Sequence, residues 1–464
     1  MSDASAALPF EPHDGLATVA VTGEFHAALL VSQPLQATIL RTALPAVASS
    51  LLMTLFFSVD TYWIGTRVGS DGLAAASTSL FWIWMVVSVA EMVSVGLTAV
   101  AARRHGEGKG EEASCIAGDA LLLALALGGI IAVIGIPVLP GLFSLMDTPI
   151  AVSALGVSYL KTYLAGAPLI FGFFAVDSAF RAAGDTRTPF LLLTITVGVT
   201  LFLDPALIMG WWGLPALGMK GAAIATLTTR SVACVLGVFL LWKRKLMRFR
   251  RPDPDALTAI CRVGLPTAVT GVFFSLIYVA LTRTTARFGT PALAALGIGH
   301  RVESWLFMIG VGFSAAVAAI VGQNLGAGRA DRAARAGWIA VGWCSMFGMV
   351  ACALELLIPE RFAGLFTNDP AVIAEAARYL RIASIAQLGV CAEIVLEGAL
   401  GGAGYTLPPM ITSSSLTALR VPVAAWAARF GSIGIWWTIS ITALGRALAM
   451  VWLWKSERWA LRKV

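Results

Sequence analysis

The sequence predicts an all-α integral membrane protein of about twelve transmembrane helices, arranged as two six-helix bundles related by a parallel pseudo-twofold repeat. Three observations predict it. The 464-residue chain is 58% hydrophobic and 13% charged, with a mean hydropathy of +0.83, so it cannot cover itself with polar side chains. Apolar runs of about 20 residues or more recur between short Gly-, Pro- and Arg-rich breaks, the length a helix needs to cross hydrocarbon, with no strand-like alternation. The chain also repeats itself. Moved along by about 220 residues, Gly106-Glu107-Gly108 falls on Gly326-Ala327-Gly328, Leu73-Ala74-Ala75 on Leu293-Ala294-Ala295, and Gly184, Thr186 and Pro189 on Gly404, Thr406 and Pro409.

Residues 1–33 lack a basic stretch followed by an apolar core and a small-residue cleavage site, so they read as a cytoplasmic tail and not a signal peptide. Apolar segments follow at 36–64, 73–102, 114–138, 151–180, 190–210 and 218–242, then at 258–286, 292–322, 334–358, 371–400, 408–428 and 431–454. The long second and eighth segments reach past the membrane. A basic run at 243–251, closed by Pro252-Asp253-Pro254-Asp255, joins the copies. The division is a tail at 1–33, an N lobe at 34–242, a cytoplasmic linker at 243–256, a C lobe at 257–454 and a cytoplasmic C-terminal tail at 455–464.

An even number of crossings per copy makes both copies start on the same side, which puts the repeat axis along the membrane normal and both termini in one compartment. Loops on that side carry Arg103, Arg104, Lys109, Arg181, Arg187, Arg244, Arg248, Arg329, Arg332, Arg335 and Lys455, while the opposite loops offer only Arg67, Lys220, Arg361 and Arg429. The basic side is therefore expected to be cytoplasmic, in a multi-pass plasma (inner) membrane protein.

The same distribution accounts for the net charge of +7. Basic residues stand at many helix ends and not in one patch, so no nucleic-acid partner is expected. Six cysteines lie scattered in apolar helices without CxxC spacing, which points to packing and not to disulfides or a metal. No HExxH or GxSxG pattern occurs, and His300 is the histidine in the membrane region. An enzyme and a cofactor are thus not expected. The partners expected are small organic molecules and membrane lipids, with the chain acting as a monomer.

The two copies differ in their acids. Asp60 lies in Phe56-Phe57-Ser58-Val59-Asp60-Thr61 and Asp204 in Leu201-Phe202-Leu203-Asp204-Pro205, where the second copy has apolar residues. An intramembrane carboxylate costs about 2.5 to 3.5 kcal/mol at mid-depth and is a functional candidate by default. Thr200 lies one turn before Asp204 on the same face, and Thr226 reaches the same level from the sixth segment. Such a cluster can hold and release a proton, or form a hard oxygen cage for Na⁺, or merely satisfy neighbouring backbone, Pro205 having freed a carbonyl.

Asp177 and Glu397 are equivalent in the repeat, near the cytoplasmic ends of their segments beside Arg181, and read as ion-pairing gate residues. Glu91, Glu303 and Glu393 are candidates for contact with a cationic substrate, and Phe56, Phe57 and Phe173 could line a pocket for greasy cations. Arg420, before Pro422, reads as structural.

Together these residues make the chain similar to the multidrug and toxic compound extrusion (MATE) transporters from about Leu44 to Leu453. The likeness is carried by Leu44-Pro45 and Gly264-Leu265-Pro266 opening each half, Asp60-Thr61 followed by Gly65, Gly322-Gln323-Asn324-Leu325-Gly326-Ala327-Gly328, Arg181-Ala182-Ala183-Gly184-Asp185-Thr186 and Leu203-Asp204-Pro205 with Gly221-Ala222-Ala223. Within that family it resembles the prokaryotic DinF branch, whose coupling acids match Asp60 and Asp204. The branch's companion polar positions fall on Thr200, where Asn is more usual, and on Thr226. Another branch uses acids in the C-terminal half, and 267–285 holds none.

The resemblance implies a secondary antiporter that exports amphiphilic, often cationic compounds in exchange for H⁺, or Na⁺, with Pro45 letting the first helix bend. The rivals are a lipid-linked precursor flippase of the same superfamily, ranked second because the intramembrane charges look mainly acidic, and an intramembrane enzyme.

Overall fold

Apolar runs too long for a soluble core fold as helices because every backbone polar group must be satisfied within its own segment in hydrocarbon. The computed structural model describes residues 30–146, 149–213 and 215–462. Most of the expected tail, 1–29, lies outside the described residues. One bundle holds α1 (Leu35–Arg67), α2 (Ser70–Gly106), α3 (Gly110–Leu145), α4 (Ile150–Ala165), α5 (Ala167–Ala182), α6 (Arg187–Met209) and α7 (Met219–Lys243). The other holds α8 (Pro254–Thr285), α9 (Gly289–Gly326), α10 (Ala330–Leu357), the short α11 (Pro359–Gly364), α12 (Pro370–Ser384), α13 (Gln387–Gly402), α14 (Leu407–Ala427) and α15 (Ser432–Lys455). No strand occurs among the described residues.

Two of the expected segments need correction. Residues 151–180 and 371–400 are not single rods: α4 and α5 meet at a 54° bend and α12 and α13 at a 57° bend. Gly166 followed by Pro168 explains the first break, since proline removes a backbone donor. No Gly or Pro marks the second, at 384–387. With each bent pair taken as one rod and α11 set aside, twelve helical rods remain among the described residues, six in each lobe. The second and eighth are the longest helices, at 37 and 38 residues.

The sequence repeat is also a repeat of hydrogen bonds. Pro45 lies inside α1 and Pro266 inside α8. In the turn that each proline interrupts, a threonine from the following loop of the repeat supplies a donor: the Thr186 hydroxyl to the Thr42 carbonyl at 2.9 Å, and the Thr406 hydroxyl to the Val263 carbonyl at 2.7 Å. Both loops turn on a left-handed glycine, Gly184 (φ 89°) and Gly404 (φ 74°), a conformation that other residues adopt at a cost.

The lobes join through exchanged neighbours, α2 running along α8 and α1 along α9. Their backbones come close enough to exclude a methyl group. A Cβ on Gly264 would stand 1.8 Å from the Met92 carbonyl oxygen, one on Gly106 2.0 Å from that of Gln323, one on Gly326 2.1 Å from that of Arg103, and one on Gly96 2.2 Å from that of Ile260. Buried Gln323 donates to the Ala182 carbonyl at 2.7 Å across the same seam. All these contacts lie in the half nearer the basic helix ends, where the lobes are closed on each other.

The chain just before α1 is tied to the opposite lobe. Asn324 donates to the Leu30 carbonyl, Arg329 to that of Val31 at 3.0 Å and Arg332 to that of Gln33. The connection between the lobes is likewise packed: Met247 is fully buried, and Ser114 on α3 contacts the Lys245 carbonyl at 2.8 Å. The six cysteines are free thiols.

Candidate ion-coupling and substrate site

Three helices of the N lobe bring the expected acids together. α1 carries Asp60 and α6 carries Asp204, 6% and 0% exposed, and α4 adds buried Tyr159 beside Asp60. Asp60 and Asp204 lie within electrostatic reach of each other. Among the described residues, Oδ1 of Asp60 and both carboxylate oxygens of Asp204 have no hydrogen-bond partner. A buried carboxylate without donors is tolerated only when something neutralises it, and a proton or a small cation can do so reversibly. No group of three or more His, Cys, Asp or Glu able to hold a metal occurs among the described residues. A Na⁺ ion would therefore depend on these two acids and nearby hydroxyls.

The hydroxyls differ from the expectation. Thr200 is buried at the right height, but its oxygen lies 2.8 Å from the Thr196 carbonyl and 3.1 Å from the Thr229 hydroxyl of α7. Thr226 is buried on α7, and no hydrogen bond joins it to either acid among the described residues. The hydroxyl that stands beside Asp60 is that of Tyr159. Its signal was present in the sequence: 220 residues later stands Tyr379, which donates to Glu303 at 3.0 Å.

At the basic side of the N lobe, Asp177 and Arg181 on α5 pair at 2.5 Å, with Glu91 of α2 facing Arg181. The symmetrical pairing expected of Glu397 is not found. Among the described residues it makes no ion pair, and the charges facing it are Glu393, Arg446 and Glu91. Glu393, expected as a contact for a cationic substrate, pairs with Arg446 at 3.1 Å. Glu355, buried on α10, accepts from Gln387 at 2.9 Å to both oxygens.

The buried charges also include cations: Arg230 (α7), Arg420 (α14) and Arg446 (α15) project into the lobes among the more numerous acids. Arg420 donates to the Thr442 hydroxyl at 2.9 Å, matching the Thr200–Thr229 contact of the first copy with a guanidinium in place of the hydroxyl. Arg230 lies over Phe173 and Phe56, its central carbon 5.0 and 5.8 Å from the ring centroids. Phe57 meets Phe56 edge to face at 5.5 Å. A run of alternating charge and aromatic surface thus continues inward from the aspartates.

The fold agrees with the comparisons to known proteins. The MatE family profile matches residues 45–206 and 266–426, one match in each half. The chain belongs to the MatE family. A probable multidrug resistance protein NorM of Thermotoga maritima is 32% identical to this MatE chain over 444 residues, 92% of this chain and 93% of that protein. A FAD transporter of Shewanella oneidensis is 27% identical over 431 residues, 91% of this chain and 95% of its own. A solved outward-facing conformation of a multidrug resistance MATE family transporter superposes with a TM-score of 0.88 at 22% identity, covering 94% of this chain and 99% of that one. The superposition shows the shared fold. MatE proteins are transporters and not enzymes, and this one is a multi-pass integral membrane protein.

Proposed function

We propose that this MatE protein is a secondary multidrug antiporter of the DinF type, exporting amphiphilic, often cationic compounds in exchange for H⁺, with Na⁺ as the alternative, from a plasma (inner) membrane with both termini cytoplasmic. One observation carries the reading. Asp204 is fully buried with both oxygens unpartnered, beside Asp60, and only the first lobe has acids at these places. A pair of carboxylates that must be neutralised can be occupied either by the coupling cation or by the cationic end of a substrate, and exclusive occupancy is what antiport requires. Inward movement of one charge provides about 2.3 kcal/mol per 100 mV, besides the concentration gradient.

The gate roles proposed are local. Asp177 and Arg181 hold α5 at the basic face, Glu397 sits where α13 faces α2, and Pro45 supplies the weak point of α1. The seam of glycines closes the cytoplasmic side, leaving the aspartates to be approached from outside. The flippase alternative gains from the buried arginines, but the twelve rods leave no additional helices for it among the described residues.

The test is efflux of a fluorescent cationic dye from everted vesicles under an imposed pH or Na⁺ gradient, for wild type, Asp60→Asn and Asp204→Asn. Both variants should lose gradient-driven transport while still inserting in the membrane. Normal export by both would rule out coupling at these acids.

A further inference from the structure

Where α10 ends, away from the basic face, the chain turns through α11 into α12 and leaves a cavity of about 700 Å³ against the two. Glu360 of α11 and Arg378 and Arg381 of α12 line it, together with Pro370, Ile373 and Ile382. That volume falls among those of small-molecule pockets, roughly 300 to 1,000 Å³. Neither the aspartate pair nor the closed seam of glycines involves these residues.

α12 divides its side chains by face. Val372, Ala376, Tyr379, Leu380 and Ala383 are buried in the lobe, while Ala374, Arg378, Arg381 and, just past its end, Ile385 stand exposed at helical spacing on the other side. The charges on that side are engaged but not exhausted. Arg381 pairs with Glu360, and Arg378 with Glu375 at 2.7 Å, each through one terminal nitrogen. Glu375 is held further by Ser432 and Trp436. One acid thus faces two half-exposed guanidiniums across the cavity, and the other N–H donors of both forks have no partner among the described residues. Leu357 and Leu365, on either side of α11, are 77% and 76% exposed, and apolar surface this bare on a membrane protein meets lipid tails. The cavity therefore opens among lipid. The first copy lacks the arrangement: 220 residues earlier stand Pro140, Ser158 and Lys161, and α3 continues to Leu145 without a separate corner helix.

We propose that the α11–α12 corner is a binding site for an anionic glycerophospholipid. Its phosphate takes the free edges of Arg378 and Arg381, and an acyl chain lies over Ile373 and Ile382 toward the exposed leucines. Guanidinium forks match phosphate oxygens in pairs. A headgroup that carries its own ammonium brings a further cation to a wall already holding one in excess, so the anionic headgroup is preferred. Glu360 competes with the phosphate for Arg381 and sets how firmly the lipid is held.

The test is native mass spectrometry of the purified full-length protein, delipidated and then offered equimolar phosphatidylglycerol and phosphatidylcholine with the same acyl chains. Wild type should retain phosphatidylglycerol about fivefold over phosphatidylcholine, as expected of two partly exposed arginine contacts. Arg378→Gln combined with Arg381→Gln should bring that ratio close to one, while Lys161→Gln, at the repeat-related place, should leave it unchanged. Glu360→Gln removes the competing acid and should raise the ratio, a gain that loss of a merely structural ion pair would not give. A wild-type ratio near one, an unchanged ratio in the double arginine variant, or no rise in Glu360→Gln overturns the proposal. Displacement of the lipid by excess soluble glycerophosphate overturns it too, because the corner would then be a site for free phosphate. Should the double variant fail to fold, the wild-type ratio and Glu360→Gln decide alone.

Discussion

Replacing Gly264 with alanine tests whether the closed basic face depends on backbone contact. The new Cβ would lie 1.8 Å from the Met92 carbonyl oxygen, against about 3.3 Å for a comfortable carbon–oxygen contact, so α8 and α2 must separate by roughly 1.5 Å. The obstacle is backbone and cannot rotate away. Overpacking of this kind costs about 1 to 3 kcal/mol, and that falls on the closed arrangement alone. The gain in helix propensity from Gly to Ala, about 1 kcal/mol, is common to both arrangements and cancels. The closed-to-open ratio should fall roughly 5- to 150-fold. Spin labels at Glu112→Cys on α3 and Asp331→Cys on α10, both exposed at the basic face, would report a longer distance population, and dye efflux would fall with it. Gly297→Ala, whose Cβ meets nothing within 4 Å, is the control. An unchanged distance distribution with normal efflux in Gly264→Ala would refute the steric argument.

Further outcomes follow from single contacts. Tyr159→Phe removes the hydroxyl beside Asp60, a polar neighbour worth about 0.5 to 1.5 kcal/mol, and should slow gradient-driven efflux severalfold without changing protein yield. Arg446→Met leaves Glu393 alone and should destabilise by about 3 to 5 kcal/mol, seen as a lower unfolding temperature in detergent; pairing it with Glu393→Leu should recover most of the loss. Thr186→Val and Thr406→Val each delete one proline-turn bond, worth about 1 kcal/mol apiece, and similar decreases in unfolding temperature are expected from the two because the bonds are repeat-related.

The fold was legible because bilayer thickness constrains segment length so strongly that composition and spacing nearly determine the helices. The repeat was legible because its glycines and threonines perform the same backbone tasks twice. The breaks at 165–167 and 384–387 were not. Apolar character runs through both, and only the first has a glycine and proline to mark it. At the site, Asp60 and Asp204 could be singled out because an isolated acid stands out in an apolar run. Arg230, midway along α7, satisfies the same criterion, but within Thr229-Arg230-Ser231 it stands between polar residues and is less conspicuous than an acid in an apolar run. Tyr159 could have been found from its repeat partner Tyr379, whereas the direction taken by Thr200 depends on how neighbouring helices rotate against each other, information that periodicity does not contain.

The tie between residues 30–33 and the α9–α10 corner gives α1 divided loyalties. Its upper length, with Asp60, belongs to one bundle, while its foot is moored to the other. When the bundles rock, those moorings either part or drag the foot along, and the difference in travel must be taken up between Gln33 and Asp60. Pro45 is the proline inside that interval, so under the proposed antiport the helix that would sense the occupant of the aspartates is anchored at the very face it would have to open.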